Sequence, residues 1–237
     1  MVVAELEVFH SRAIAPTRRV ALGDSNLPVE PPPGPGGLLL GAVMAANVGS
    51  IAPDLHDDLH RLMSEVEVGR RIAQPRVRHR FQHDRVGLLC STHRLVARGQ
   101  QLDLDLDDRG APVQQALAAV YAVGTLAPER RRPIMDVIRR GAHWRGPIDA
   151  SLLGHLAGHG ALSDLIDMAG DPRRWALDVL GLAEDAPGPA VAGLDRRAVQ
   201  RRFREQLRAA HPDHGGASEE AARRIAELAE ARRILLA

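Results

Sequence analysis

The sequence predicts an α+β protein that is mainly α, and three features carry that prediction. Aromatic residues make up only 3% of the chain. A core must therefore come from Leu, Val, Ile and Ala, of which Leu and Ala favour helix. From Pro112 to the end, apolar residues recur at helical spacing. Before it, short alternating runs such as Leu102-Asp-Leu-Asp-Leu106 fit half-buried strands.

Taken in order, Val2 to Phe9 and Arg18 to Leu22 read as strands. Pro28 to Gly37 is stiff in its prolines and free in its glycines, which suits an internal linker or a long surface loop. Leu38 to Val48 is apolar and expected to be buried. Pro53-Asp54 opens a helix expected to reach Ile72, with Leu55, Leu59, Leu62, Met63 and Val66 at helical spacing. Val86 to Cys90, Arg94 to Ala97 and Leu102 to Leu106 are expected as strands of a small antiparallel sheet, closed by a turn at Asp108-Arg-Gly110. Helices follow over Val113 to Val123, Pro128 to Arg140, Ile148 to Ala157 and Leu162 to Met168. Gly141, Gly158 and Gly170 stand where their C-terminal caps are expected. The breaker pair Asp171-Pro172 marks a boundary between an N-terminal domain, 1–170, and a C-terminal one, 171–237.

Charge excludes more than it suggests. The formal net charge is +1, with 31 basic and 30 acidic residues, so no strong field draws nucleic acid or anionic lipid. Every basic residue is Arg, which lowers the information in any one Arg cluster. The single cysteine, Cys90, builds neither a disulfide framework nor a cysteine zinc site and suits a small buried hydrophobe. No signal-like start is present, and the longest apolar stretch, Leu38 to Ile51, is too short to cross a bilayer. The expectation is a cytoplasmic protein without membrane contact.

The C-terminal 64 residues follow a separate logic. A short helix I (174–181) contains Trp175, Leu177 and Leu180 and ends at Gly181. Asp195 suits an N-cap for helix II (196–210), where Val199, Phe203 and Leu207 cover one face. Arg197, Arg201, Arg204 and Arg208 fall within a stripe of roughly 60° on another. Pro212 stops that helix, and Gly215-Gly216 allow a sharp loop. Ser218 suits the N-cap of helix III (218–236), whose Ile225, Leu228 and Leu235 share a face with Ala231. Two antiparallel helices result, with His211-Pro212-Asp213 at the tip.

This pattern resembles the J domain of DnaJ-type co-chaperones. The tripeptide, its glycines, the basic helix before it and the patterned helix after it carry the likeness together. Ile225 stands where the family has an aromatic, Arg232 where it has Tyr, and Gln200 and Glu205 where many members are basic. The resemblance implies that the segment docks on a DnaK-type heat-shock chaperone and stimulates its ATP hydrolysis. It also implies roles: Asp213 pairs with a chaperone Arg, His211 and Pro212 fix the loop shape, and Arg201, Arg204 and Arg208 steer the encounter. The J-domain core would be Leu177, Leu180, Val199, Phe203, Leu207, Ile225, Leu228 and Leu235. No Gly/Phe-rich stretch and no zinc domain accompany it, which resembles the class carrying only the J domain on an unrelated region. That region would recruit a client protein or set location, and the protein would be no enzyme and need no cofactor.

The alternative is a metal- or nucleic-acid-binding N-terminal domain that recruits the chaperone to its own complex. His56-Asp-Asp-Leu-His60 puts two imidazoles one helical turn apart, with Asp57 between them and Asp54, Glu65 or His83 as third ligand. His79 with His83 and His155 with His159 repeat that spacing, so exposed or core histidines are expected and no metal. Arg130-Arg-Arg132, Arg139, Arg140 and Arg145 form a basic group with only Trp144 to stack a base, and no nucleic-acid partner is expected. Asp103, Asp105 and Asp107 are expected on the solvated face of a strand. No phosphate-binding glycine loop and no nucleophile elbow occurs.

Overall fold

Alternation in the first strand sets the architecture. The computed structural model describes residues 1–12, 18–98, 101–158, 166–167, 171–182, 196–210 and 218–236, with the backbone alone at 218–220 and 223. In β1 (Val2–His10), Ala4, Leu6, Val8 and His10 are buried while Glu5, Glu7 and Phe9 are half-exposed. One face therefore seeks a cover and the other meets water.

β2 (Arg19–Leu22), β3 (Arg80–Phe81), β4 (Leu89–Arg98) and β5 (Gln101–Asp105) complete a five-stranded sheet in the order β3-β2-β1-β4-β5. All pairs are antiparallel except β2 with β3. β1 and β4 pair from Val2 opposite Val96 to His10 opposite Leu89, with the register shifting between Val2 and Ala4. On the open face that register sets Glu5 opposite Arg94, and they pair at 2.6 Å. The inner face is covered by α1 (Gly34–Val48) and α3 (Pro112–Gly124), with α2 (His56–Glu67), α4 (Pro128–His143) and α5 (Ala150–Ala157) packed behind them.

α1 is apolar on every side, as a helix enclosed by protein should be; Leu38, Leu39, Leu40, Ala42, Val43 and Met44 are all inaccessible. It crosses α4 at a glycine pair. A Cβ on Gly141 would stand 2.2 Å from the carbonyl oxygen of Gly41, so only glycine lets the two backbones approach this far.

Several expectations need correction. Residues 28–37 are not a linker: Gly34 to Gly37 form the buried first turn of α1, where Pro35 uses the position that needs no N–H. Val86 to Cys90 and Arg94 to Ala97 are not separate strands. Gly87 (φ +72°) makes a turn, and alternation continues unbroken from Leu89 to Arg98. The sheet also recruits β1 and β2. The helix expected to reach Ile72 stops at Glu67, because Gly69 turns left-handed at φ +69°. Gly141 lies inside α4 and caps nothing. The expected helix from Leu162 to Met168, and Gly170, fall largely or wholly outside the described residues.

The chain divides into two compact units, Met1–Val29 with Pro33–Leu162, and Ser163–Ala237 with Glu30–Pro32. The second contains α6 (Pro172–Leu180), α7 (Arg196–Ala209) and α8 (Ser218–Leu236). Asp171-Pro172 starts α6. The Asp171 carboxylate accepts from the Arg174 N–H at 2.9 Å and Pro172 takes the first helical position. At the other end Gly181 is left-handed (φ +65°), and its N–H reaches Asp178 while that of Leu182 reaches Leu177. This is the Schellman closure, with buried Leu182 and Leu177 as its apolar contact. Among the described residues no helix is long and apolar enough to cross a membrane.

Candidate functional site

The second unit holds most residues singled out from the sequence. α7 and α8 pack antiparallel, since Arg196 at the start of α7 donates to the carbonyl of Leu236 at the end of α8 (3.1 Å). Ala209 and Ser218 therefore share the opposite end. α6 packs against both helices, and Arg224 of α8 ties down its C-terminus by donating to the Val179 carbonyl at 3.2 Å, one of the acceptors every helix end leaves free.

Of the expected core, Leu177, Leu180, Val199 and Leu228 are buried, together with Trp175, Ala176, Ala221 and Ala231. Phe203, Leu207, Ile225 and Leu235 are only half-buried. Three helices of this length enclose too little space to hide every apolar side chain. Arg232 compensates at one of these positions, laying its guanidinium over the Phe203 ring at 4.7 Å. That cation–π contact gives Arg232 a packing role.

On the other side of α7, Arg197, Arg201, Arg204 and Arg208 are all exposed. Arg204 donates to the Gln200 carbonyl at 3.1 Å. Arg201 and Arg208 have no partner among the described residues. Arg201 and Arg208 are thus exposed cations available to an acidic surface. His211, Pro212 and Asp213 lie outside the described residues, in the chain between α7 and α8.

The competing constellations of the first unit are occupied otherwise. Asp54 and Glu65 hold arginines: Arg78 pairs with Asp54 at 2.8 Å, and Arg76 with Glu65 at 2.6 Å and Asp58 at 3.1 Å. Asp58 also accepts the Val77 N–H at 2.6 Å, steadying a turn in which Val77 and Arg78 both carry positive φ. His56 bonds the Ile51 carbonyl at 3.1 Å, and His60 meets His143 edge-on at 6.3 Å. No group of metal-ligating side chains is found among the described residues; His159 lies outside them.

Much of the basic group is bonded within the protein, Arg139 by carboxylates and Arg131, Arg140 and Arg145 by backbone carbonyls. Arg139 pairs with Glu67 and Asp136, Arg140 donates to the Leu156 carbonyl, Arg131 to that of Leu126, and Arg145 to those of Ala142 and Trp144. Asp107 corrects its expectation. It lies past β5, not on a solvated strand face, and caps the Thr92 N–H while pairing with Arg109. These contacts, Arg109 foremost, hold its carboxyl well below the usual carboxylate range. Cys90 is half-buried, and burial, then Glu7, push its thiol up.

One polar constellation went unread in the sequence. Under the sheet, His93 Nδ1 accepts the Asp107 N–H at 3.2 Å, so Nε2 carries the proton and donates to Gln115 at 2.9 Å. Gln115 in turn donates to Ser91 (2.8 Å) and to the Arg109 carbonyl (2.6 Å). Gln114 reaches the Ser11 carbonyl at 3.1 Å. His10 is buried beside them with neither ring nitrogen hydrogen-bonded. The signal was Gln114-Gln115 at the head of an otherwise apolar helix. Every member but His10 is satisfied within the protein, which marks a structural network. Compared with family models, curated proteins and solved structures, the chain matches none.

Proposed function

We propose that the protein is a J-domain co-chaperone, which binds a DnaK-type heat-shock chaperone through its second unit and stimulates ATP hydrolysis by that chaperone. One observation supports this above the others. An antiparallel helix pair, α7 and α8, brackets His211-Pro212-Asp213 in the chain, and α7 turns a row of exposed arginines away from its buried Val199. Such a row suits an acidic groove, because guanidinium pairs with carboxylate through two parallel bonds. On this reading Asp213 meets a chaperone Arg, and Arg201, Arg204 and Arg208 set the rate and register of encounter. The first unit recruits a client or fixes the site of action in the cytoplasm. No chemistry is assigned to the chain itself.

The test is the single-turnover ATPase rate of a DnaK-type chaperone with and without the full chain. Stimulation is expected, falling as ionic strength rises. His211→Gln or Asp213→Asn removes it while the far-UV circular dichroism melt stays unchanged. Equal stimulation by both variants refutes the proposal.

A further inference from the structure

The first unit contains a cleft that the co-chaperone reading does not use. It holds about 500 Å³ between the end of β2, β3, the C-terminal ends of α2 and α3 and the start of α4. That volume lies within the usual range for small-molecule sites.

Its chemistry is one-sided. Arg70, Arg85, Arg131 and His83 line it, and no carboxylate does. Arg85 is already paired with Asp24, at 3.2 Å. Arg70 and Arg131 have no carboxylate partner among the described residues. The nearest acids of α2 are engaged elsewhere, Glu65 by Arg76 and Glu67 by Arg139. Two uncompensated guanidinium groups at one cleft form a site for an anion.

Beside the aliphatic Leu22, Val66 and Ile72, the remaining wall carries an aromatic pair. Phe81 and Tyr121 stack with centroids 4.1 Å apart and planes inclined by 16°, and His83 meets Phe81 edge-on at 5.8 Å. The Tyr121 hydroxyl is buried and makes no hydrogen bond of ordinary geometry, with Gln74 as the polar side chain beside it. Gly69 keeps the entrance clear: its left-handed backbone disfavours any side chain, and a Cβ there would stand 2.6 Å from Arg131 Nη1.

We propose that this cleft binds a small planar organic anion: an aromatic or heteroaromatic ring bearing a carboxylate, sulfonate or phosphate. The ring lies along Phe81 and Tyr121, and the anion meets Arg70 and Arg131.

The experiment titrates the full-length protein near neutral pH with two fluorescent probes. One is anilinonaphthalene sulfonate; the other is N-phenyl-1-naphthylamine, the same ring system without the charge. The sulfonate should saturate at one per chain. Arg70→Gln should weaken it about threefold, and Arg70→Gln with Arg131→Gln about tenfold. The uncharged probe should ignore both changes, and Phe81→Leu should weaken both probes. Arg70 is exposed and makes no side-chain hydrogen bond or ion pair among the described residues, so its variant tests charge with little disturbance of the fold. Sulfonate binding that does not saturate, that is indifferent to the double Arg change, or that survives Phe81→Leu intact overturns the proposal.

Discussion

The two units solve the burial problem in opposite ways. In the first, every residue of α1 from Gly34 to Met44 is enclosed. In the second, α7 buries one residue, Val199, and gives much of its surface to arginine. The first unit spends its sequence on close approach, with glycines at a helix crossing and glutamines satisfied under a sheet. The second keeps a thin core and an open polar face. Elements that exchange partners belong to the less densely packed part of a protein, and the contrast accords with the proposal that recognition falls on α7, while rigidity gathers around α1.

The largest effect should come from the crossing of α1 and α4. Gly141→Ala drives a methyl group into the Gly41 backbone carbonyl, and neither helix yields without separating from the other. The expected loss is at least about 3 kcal/mol. Urea unfolding in a Trp175→Phe background, where Trp144 alone reports, measures it. A loss below about 1 kcal/mol would mean the crossing is loose and the contrast overstated.

Within the second unit the contrast is graded. Leu228 is fully buried and Leu235 only half so. Leu228→Ala should cost about 2–4 kcal/mol and Leu235→Ala about 1 kcal/mol, read from Trp175 fluorescence with Trp144→Phe. Equal costs would show that the half-exposed ring of apolar residues, not the small centre, holds the helices together.

Acid should act mainly on the first unit. His10, His79 and His93 are buried, and burial lowers the pKa of each below 6.5. In the unfolded chain these imidazoles take up protons near pH 6.5; in the folded chain they do so only at lower pH. Stability is therefore complete above pH 6.5 and falls as pH drops below it, by at most about 1.4 kcal/mol per pH unit for each histidine. Urea midpoints between pH 7.5 and 5, read from Trp144, check this. His93→Gln should flatten the slope, because protonated His93 would turn an N–H towards the Asp107 N–H.

How much of this was legible differs between the units for the same physical reason. α7 and α8 follow local rules: a face repeats every three to four residues and Pro212 ends a helix, so their limits were readable to about one residue. α1 has no polar face, and periodicity says nothing about a helix buried on all sides. Its first turn, Gly34-Pro-Gly-Gly37, reads as part of a linker or surface loop, because proline and glycine punctuate exposed chain far more often than they fill a helix crossing. Asp54 and Glu65 stand in the sequence as candidate third ligands; their partners Arg78 and Arg76 lie 24 and 11 residues along the chain, a pairing local sequence does not encode. The Arg stripe of α7 was readable as geometry. That Arg201 and Arg208 keep no carboxylate partner among the described residues was not, because that depends on what packs nearby.

The smallest effect on stability should accompany a large effect on recognition, and that pairing tests the contrast most directly. Arg201 and Arg208 are exposed and have no partner among the described residues. Replacing both with Gln removes two charges from an exposed helix face and little else. The unfolding free energy should therefore change by no more than about 0.5 kcal/mol. If the stripe faces an acidic chaperone surface, each lost cation removes part of the long-range attraction and of the docked contact. The concentration for half-maximal ATPase stimulation should rise about tenfold at low ionic strength, and the difference should narrow at high salt, where screening already weakens the parent. Helix stability and recognition then separate on one element: Val199 serves the first, and the arginines serve the second. An unfolding loss as large as that of Leu228→Ala would instead assign the arginines to holding α7 in place, and the open face would lose its meaning as a docking surface.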